Sequence, residues 1–501
     1  MEILAYLQFL ILPTALLVVL LFFSRKNTNL PCNWPVFGML PAVFSNSDRI
    51  LDKSTEILES NGGTFLFKGP WFANMNILFT SNPADVHHIM SANYSAYTKG
   101  AEWKKKFDVF GGSLLKSDLD DWKNHRVFIR GFLSHQRFQQ QMPKIFQDSM
   151  GELFQTLDRL SGQEVPVDFQ HLLSKHVFHI ACRMATGYDP SCFGIDSHET
   201  RFSGAISDAF EAIFARHILP ESVWRFQNWL GVGKEKKLKD AWLTLDHLLS
   251  QYISLKQKEL SNRATMEDVE VDFNALELQM IGNKAVEPLS ISREVIRDNV
   301  LGIMFATHDT TSTALTWFFW LLTKHPEVEI KIRQEMKDGT AELVTFDAEE
   351  MSKMVYLHAT LCETLRLFPP VPFMERTPVH DDTLPCGHRT NNKMMVIISS
   401  YAMGRMASIW GEDCHEFKPE RWINDDGGIK HEPPHKFFVF NTGQRVCLGK
   451  DFAFNVMKAT AMAIINKYDV KMVENHIVKP KLSTILQMEH GLMVTVGKRY
   501  G

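Results

Sequence analysis

A single cysteine held between glycines, in the segment FNTGQRVCLG at residues 440–449, constrains this chain more than any other feature. Gly443 allows a sharp turn before Cys447, and Gly449 allows the backbone to approach a neighbouring group closely. The apolar run that follows predicts a helix from Gly449 to Tyr468, whose N-terminus would lower the pKa of the thiol. Most lone cysteines are simply buried, but this spacing indicates a thiolate presented as a metal ligand.

The composition indicates a large intracellular domain with apolar cavities. With 501 residues the chain folds either as two domains or as one large composite domain. The aromatic share of 11% is dominated by phenylalanine. A net charge of −4 gives no sign of a nucleic-acid partner, which would require a basic excess. The seven scattered cysteines argue against a disulfide framework and favour a reducing compartment.

The N-terminal stretch predicts a membrane anchor. No charged residue occurs from Ile3 to Phe23, which is long enough for a helix that spans a bilayer. Arg25 and Lys26 follow directly, so the positive-inside rule places the rest of the chain in the cytosol. A cleaved signal peptide is the alternative, although no basic segment precedes the run and no cleavage site follows it.

The remaining chain divides into a short hinge and a large domain. Three prolines within LPCNWPVFGMLP stiffen the segment after the anchor. We therefore predict a transmembrane signal-anchor at 1–23, a basic stop and proline hinge at 24–47, and a catalytic domain at 48–501.

Within the large domain, the periodicity predicts a mainly α fold with a minor antiparallel β-sheet. The runs TFLFKG and NILFTS predict strands, and the tail after residue 476 predicts strand pairs. The stretch from Asn262 to Phe273 is charged and predicts a surface loop. Helical patterns extend over Glu102–Lys256, Ser292–His325, Ile330–Lys337 and Tyr356–Leu367, with Pro326 expected to end the long central helix.

The cysteine segment resembles the haem-binding signature of the cytochromes P-450, and other marks of that family follow in the right order. Glu363 and Arg366 match its Glu-x-x-Arg motif, and Arg421 matches the arginine that completes a structural cluster with them. Without the family, Glu-x-x-Arg is a weak motif, usually a solvated helix pair. The resemblance covers the whole chain and implies the cytochrome P-450 fold with an N-terminal transmembrane helix.

The resemblance also implies the residues that bind haem. Cys447 would be the axial ligand of the iron, and Phe440 would cover the proximal face. The propionates would be met by four further residues, namely Trp122, Arg126, Arg376 and Arg445.

The middle of the long helix reads ATHDTT at residues 306–311. Reduction of dioxygen needs delivered protons, and the resemblance implies that Asp309 is the acid and Thr310 the alcohol beside bound oxygen. A helix kink stabilised by hydroxyls bonding back to carbonyls is the alternative. The family usually has Gly where this chain has Thr307, and this branch usually has Arg where it has His308. His308 is either a proton relay or an ordinary satisfied polar residue.

Further details, including TALTWFFWLL and PPVPFMERTP, resemble the plant branch of wax-alkane and fatty-acid hydroxylases. An offshoot of that branch couples two phenol rings of 4′-O-methylnorbelladine, para to para′, in Amaryllidaceae-type alkaloid biosynthesis. The unusual pair Thr307–His308 favours this coupling as the function of the chain. Hydroxylation of long-chain alkanes or fatty acids is the first alternative, and a non-catalytic haem sensor is the second.

The resemblance implies a small hydrophobic or phenolic substrate facing apolar side chains, each of which is otherwise ordinary core. The expected residues are Phe107, Phe110, Phe210, Phe305, Val371, Phe373, Met374, Leu486 and Met488. A substrate ammonium would meet Glu102, Asp108 or Glu211, unless these are simply exposed charges.

An enzyme of this kind needs electrons from elsewhere. The implied partners are O2, NADPH–cytochrome P-450 reductase and membrane lipid at the endoplasmic reticulum, with no nucleic acid. Lys436, Lys450 and Arg137 would lie on the reductase-docking face, or else are solvated surface charges.

Overall fold

The computed structural model describes residues 29–163, 165–190, 197–262, 272–273, 293–338 and 348–499. The predicted transmembrane segment at 1–23 lies outside these residues. Within the described ranges, no helix combines the length and apolarity that crossing a lipid bilayer requires.

The fold is mainly helical, as predicted, and the helices are numbered here in chain order. They are α1 Leu40–Ser45, α2 Ile50–Ser60, α3 Pro83–His87, α4 Gly100–Lys106, α5 Leu119–Leu133, α6 Gln136–Ser161, α7 Phe169–Thr186, α8 Ser197–Ile218, α9 Glu221–Leu230, α10 Gly233–Asn262, α11 Arg293–Lys324, α12 Pro326–Asp338, α13 Ala348–Lys353, α14 Val355–Leu367, α15 Ser400–Met403, α16 Ala407–Trp410 and α17 Lys450–Lys467.

The strands form small sheets beside the helices. They are β1 Thr64–Phe67, β2 Ile77–Thr80, β3 Tyr97–Thr98, β4 Val167–Asp168, β5 Phe373–Pro378, β6 Asp382–Thr383, β7 Arg389–Thr390, β8 Met395–Ser399, β9 Tyr468–Met472 and β10 Met493–Lys498. The largest sheet has the order β1-β2-β8-β5-β3, the second has β4-β10-β9, and β6 pairs with β7.

The largest sheet is mixed, so the prediction of a purely antiparallel sheet is wrong for one pair. β2 and β8 are parallel, with Ile77 opposite Met395, whereas β1–β2, β5–β8 and β3–β5 are antiparallel. Parallel pairing needs a long crossover connection. Some 300 residues separate β2 from β8, and local turn signals do not reveal such a pairing.

Helix α11 runs through the centre of the core and packs mainly against α7. Its side chains are buried nearly all round, including Leu301 and Phe318, as expected for a helix that is apolar on every face. Its end at Lys324 agrees with the prediction. Pro326 then serves as the first residue of α12, where its missing N–H costs nothing.

The predicted surface loop at 262–273 is described only at its two ends. Asp272 and Phe273 are buried, so the prediction is wrong for these two residues. The Asp272 carboxylate lies 2.8 Å from the Lys256 ammonium, and the Phe273 ring packs against Phe128 and Phe132. A charged stretch can still insert single side chains when a buried partner of opposite charge meets them.

Candidate functional site

The loop before α17 is closed by its own backbone. The Cys447 N–H donates a hydrogen bond to the Phe440 carbonyl at 2.8 Å. Gly443 has a φ of 62°, and a Cβ at this position would lie 2.1 Å from the Met90 carbonyl oxygen. The sharp turn predicted at Gly443 therefore requires glycine for two reasons, its backbone conformation and its contact with the neighbouring chain.

Cys447 is exposed to the interior cavity, directly before α17, which begins at Lys450. Burial raises the pKa of its thiol, and the Gly449 N–H and the Arg126 charge oppose this rise without cancelling it. The prediction of a lowered thiol pKa is therefore wrong for the protein alone. Gly449 also has no close contact, since a Cβ there would lie 4.0 Å from the Cys447 sulfur. A thiolate at this position calls for a metal ion beside the sulfur.

The predicted propionate-binding residues surround one end of the same cavity. Arg126 donates to the Val446 carbonyl at 2.8 Å, and Arg445 donates to Asp118 at 2.8 Å. The buried Trp122 ring lies under both cations, 4.2 Å from the Arg445 guanidinium and 5.4 Å from that of Arg126.

Two more cations belong to this group, Arg376 on β5 and Lys99 before α4, and both are buried. Burial and the charge of Arg445 lower the pKa of Arg376 to about 10. The same two causes, with Arg376 itself, place the pKa of Lys99 well below its usual range. Lys99 was not predicted, because TKGAEW carries no motif. Only the position of Lys99 in the folded protein, near Arg376 and Arg445, identifies it as a member of this group.

This cluster of cations is a test of whether haem fits the site. Asp118 is paired with Arg445 and Lys104, and burial lowers the pKa of Arg126 as well. Buried cations that repel one another are stabilised by an anion. Two propionates would supply that anion, with Cys447 across the same cavity, so the residues fit haem.

Behind the loop, Glu363, Arg366, Arg421 and Trp422 form a buried cluster, called here the Glu363 cluster. Both Glu363 oxygens lie 2.7 Å from Arg366 nitrogens, and the Trp422 indole N–H donates to Oε2 at 2.8 Å. Arg421 lies 3.4 Å away and donates to the Trp410 carbonyl. Arg366 also bridges to the Cys414 carbonyl at 2.6 Å. The structure thus brings together the three predicted residues, and their position matches the structural role expected of them.

The cavity in front of Cys447 has a volume of about 870 Å³ and is mainly apolar. Its lining includes all the predicted substrate-facing residues except Leu486 and Met488, which are buried in the core instead. The neighbouring residues Thr484 and Ile485 line the cavity in their place. This segment is not a regular strand, so the alternation of side chains did not predict which of its residues face inward.

Three rings form one wall of the cavity, called here the phenylalanine wall. Phe210 lies 4.6 Å from Phe305 between ring centroids, and Phe110 lies 5.3 Å from Phe305 and 6.0 Å from Phe210. Trp103 and Phe107 continue the wall as a stacked pair at 4.1 Å.

The predicted oxygen-activating residues of α11 divide between two faces. Thr307 and Thr310 line the cavity, and the Thr310 hydroxyl donates to the Ala306 carbonyl at 2.6 Å. Asp309 does not line the cavity, because successive helix residues are rotated by about 100°. Its carboxylate lies 3.2 Å from His308 Nδ1 and accepts from Gln487 at 3.3 Å.

His308 is buried and faces away from the cavity. Its Nε2 lies 2.9 Å from the Ser174 hydroxyl. The imidazole therefore links Ser174 on α7 to Asp309, which is the geometry of a positioning contact behind the cavity wall.

The three acids considered as partners of a substrate ammonium all lie outside the cavity lining, which favours the alternative that they are ordinary charges paired with basic residues. Glu102 pairs with Lys105 at the surface, and Glu211 pairs with Lys234 and Lys481. The carboxylate of Asp108 pairs with Arg216. Among the residues that the structure describes, Glu375 is the acid that lines the cavity, and His217 lines it as well.

The predicted docking residues lie in two places. Lys436 and Lys450 flank the loop that carries Cys447. Lys436 pairs with Glu432 at 2.9 Å, and the Lys450 ammonium lies 5.9 Å from the Phe440 ring. Arg137 is exposed near the start of α6.

Comparison with known proteins gives a family match and several long relatives. The family model described as Cytochrome P450 matches residues 29–496. An alkane hydroxylase of Arabidopsis thaliana is 40% identical, covering 95% of this chain and 96% of that protein. Noroxomaritidine synthase 2 of Narcissus pseudonarcissus is 36% identical, covering 95% of this chain and 93% of its own length.

Proposed function

This chain belongs to the cytochrome P450 family, and we propose that it couples two phenol rings of one substrate in the cavity before Cys447. The family consists of enzymes that bind haem through a cysteine thiolate, so the predictions of an oxidoreductase and of haem are confirmed. A thiolate-bound haem supplies the reductive activation of dioxygen. The remaining steps depend on what the side chains of this chain bind and hold.

In this proposal Cys447 would bind the haem iron through its thiolate, and Phe440 would lie beside the haem on the same side as the cysteine. The four propionate partners are Trp122, Arg126, Arg376 and Arg445, and Lys99 joins them. The Glu363 cluster fixes the loop that carries the cysteine.

Thr310 and Asp309 are proposed to handle the protons that dioxygen reduction consumes. The Thr310 hydroxyl lies at the cavity surface and is the final proton donor in this proposal. Without a ligand in the cavity it donates its hydrogen bond to the Ala306 carbonyl. The Asp309 carboxylate lies behind the wall, 3.2 Å from His308 Nδ1. A small movement of Asp309 would bring its carboxylate to the cavity, where it would pass protons to Thr310. In the present position Gln487 donates a hydrogen bond to the carboxylate and orients it.

The observation that carries the choice of substrate is the phenylalanine wall. Aromatic pairs gain about 0.5–1.5 kcal/mol beyond the burial of their area. An aromatic substrate would be stabilised in this way by Phe110, Phe210 and Phe305, whereas an alkane would not. The noroxomaritidine synthases are long relatives of the chain, and 4′-O-methylnorbelladine is therefore the proposed substrate.

The proposed reaction removes one hydrogen from each phenol and forms a carbon–carbon bond between the positions para and para′ to the hydroxyls. The two hydrogens, together with the hydride of NADPH and one proton, reduce one dioxygen to two waters. No oxygen atom enters the product.

A second candidate is hydroxylation of a long-chain alkane or fatty acid. It is favoured by the extension of the apolar cavity lining to Leu30, Pro31 and Val43, far in sequence from the phenylalanine wall. The relative with 40% identity is named an alkane hydroxylase.

Product mass separates the two candidates. Yeast microsomes that contain the chain and a plant reductase receive NADPH and, separately, 4′-O-methylnorbelladine, a long alkane and a fatty acid. Phenol coupling predicts a norbelladine product lighter by two hydrogens. An alkane or fatty acid that gains one oxygen, with norbelladine unchanged, would contradict the coupling proposal.

We further propose that the enzyme lies on the cytosolic face of the endoplasmic reticulum membrane, anchored by 1–23, and receives electrons from NADPH–cytochrome P-450 reductase near Lys436, Lys450 and Arg137. Exposed apolar side chains support contact with lipid, since Trp71 is 77% exposed and Trp229 is 78% exposed. Such patches are typical of interaction surfaces.

A further inference from the structure

Glu375 on β5 is a buried acid in the wall of the cavity. Only 5% of the residue is exposed, and it is one of the residues that line the cavity. It precedes Arg376 in the chain, and Arg376 lines the same cavity and is close enough to feel the charge of Arg445. None of the proposed haem contacts uses the Glu375 carboxylate.

The two oxygens of this carboxylate have different surroundings. Oε2 lies 3.0 Å from His217 Nε2 and 3.4 Å from the Lys106 ammonium. Oε1 is also buried, but it has no hydrogen-bond partner among the described residues. A buried acceptor without a partner destabilises the folded state, so the fold holds an unsatisfied oxygen on a residue that lines its own cavity.

The carboxylate is held in its ionised form. Burial would raise the pKa of Glu375, but Lys106 and His217 outweigh burial and lower it. Lys106 is itself buried and its charge balances that of Glu375. Burial and the same ammonium lower the pKa of His217, and the two nitrogens of its ring lie next to the Ile213 carbonyl and to Oε2 of Glu375.

This balance of charge decides which ligand group suits Oε1. An ammonium would add a second positive charge beside Lys106, in surroundings that already contain Arg376. A neutral hydroxyl donates one hydrogen bond and adds no charge. Hydrogen bonds from neutral donors to carboxylates are short and strong, and a phenolic hydroxyl is the most acidic neutral donor that the proposed substrate offers.

We propose that Oε1 of Glu375 accepts a hydrogen bond from a phenolic hydroxyl of the substrate and so fixes one ring in the cavity. This inference rests on the phenolic substrate proposed above. Lys106 and His217 are positioning residues, because they hold Oε2 and thereby leave Oε1 for the ligand. The other ring is then free to lie against the phenylalanine wall.

The test is a binding titration of the haem-loaded enzyme with three matched probes. They are 4-(2-phenylethyl)phenol, its methyl ether, and the analogue in which a protonated aminomethyl group replaces the hydroxyl. Binding is followed by equilibrium dialysis and by the haem absorbance. The wild-type enzyme should bind the phenol about tenfold more tightly than the ether. In Glu375→Gln this ratio should fall to about threefold or less.

Glu211→Gln is the matched control, because this acid is also paired with lysines but does not line the cavity. It should keep the tenfold ratio. Haem content and the absorbance of the reduced carbon monoxide complex establish that each variant is folded. If Glu375→Gln fails to fold, Lys106→Met serves instead, and it should also reduce the ratio.

Three results would overturn the inference: equal binding of phenol and ether by the wild type, an unchanged ratio in the folded variant, or a preference for the ammonium probe that depends on Glu375. A failure of the proposed phenol coupling would give a different set of results. In that case the phenol preference remains while the products of turnover gain oxygen. If instead coupling occurs without any phenol preference in binding, only the Glu375 inference fails.

Discussion

The Glu363 cluster and the Glu375 site each bury a carboxylate beside basic side chains, but they complete its hydrogen bonds differently. In the cluster, both Glu363 oxygens are occupied by Arg366, Trp422 and the Lys418 N–H. At Glu375 one oxygen is occupied and the other has no partner among the described residues. A buried carboxylate whose hydrogen bonds are all made within the protein stabilises a loop. A carboxylate with one oxygen unpaired leaves that oxygen to accept a hydrogen bond from a ligand.

Breaking the cluster should have the largest effect. Glu363→Ala leaves the buried Arg366 charge uncompensated, and removing one partner of a buried pair costs about 3–5 kcal/mol. We expect a large drop in melting temperature and loss of most of the bound haem, measured by circular dichroism and haem absorbance. Glu420→Ala is the control, because that acid pairs with Lys331 at the surface, and it should cost less than about 1 kcal/mol. Equal losses in the two variants would contradict a structural role for the cluster.

A substitution in the loop that carries Cys447 should cause the second largest loss of stability. Gly443→Ala adds a Cβ against the Met90 carbonyl and strains a positive φ, at a combined cost of about 2–4 kcal/mol. Gly62 has a similar φ of 69° but open space around it, so Gly62→Ala should cost about 1–2 kcal/mol from the backbone alone. Thermal unfolding of the two variants measures the difference. The same shift in both would show that the contact with Met90 has no influence.

Acid should weaken the proximal region through His358, which lies on the same helix as Glu363. Burial, and then the charges of Lys458 and Lys450, lower the pKa of His358 to about 3. Because this value is below the usual 6.5, the unfolded chain binds the proton more readily. The stabilising contribution is therefore complete above pH 6.5 and is lost as the pH falls towards 3.

His358→Phe should remove about 1–2 kcal/mol of the stability loss between pH 6.5 and 5. Apparent unfolding free energies at several pH values provide the measurement, with His415→Gln, at an exposed position, as control. Identical pH profiles for wild type and His358→Phe would rule out this contribution.

The phenylalanine wall should give the smallest change in stability and a selective change in binding. Phe305→Leu keeps an apolar side chain of similar volume, so we expect a cost below about 1.5 kcal/mol. Loss of the ring contacts should weaken binding of 4-(2-phenylethyl)phenol about threefold to tenfold. Binding of a long alkane should barely change. An equal loss for both ligands would contradict aromatic recognition by the wall.

The Glu363 cluster and the loop that carries Cys447 were largely predictable from the sequence. The residues around Cys447 are contiguous, and the Glu363–Arg366 pair precedes Arg421 and Cys447 in the order typical of the cytochromes P-450, so the resemblance to that family identified them. Two local properties were less predictable. The face on which Asp309 lies depends on how α11 is oriented towards the cavity, and the net rise in the pKa of the Cys447 thiol depends on its burial.

The Glu375 site was missed because its partners are far away in sequence. Lys106 is 269 residues distant and His217 is 158 residues distant. The one available signal was the lone acid Glu375 between the apolar run PPVPFM and Arg376. The exposed acids Glu102 and Asp108 were considered instead, since nothing in a sequence separates a buried carboxylate from a surface one until its partners are known.

The most direct test of the proposed function is the fate of oxygen during turnover. The reconstituted enzyme would be supplied with 4′-O-methylnorbelladine, NADPH and isotopically labelled dioxygen, and the product examined by mass spectrometry. Phenol coupling predicts a product that has lost two hydrogens and contains no labelled oxygen, with the label recovered in water. A product that carries one labelled oxygen atom would contradict the proposal and make the chain a hydroxylase.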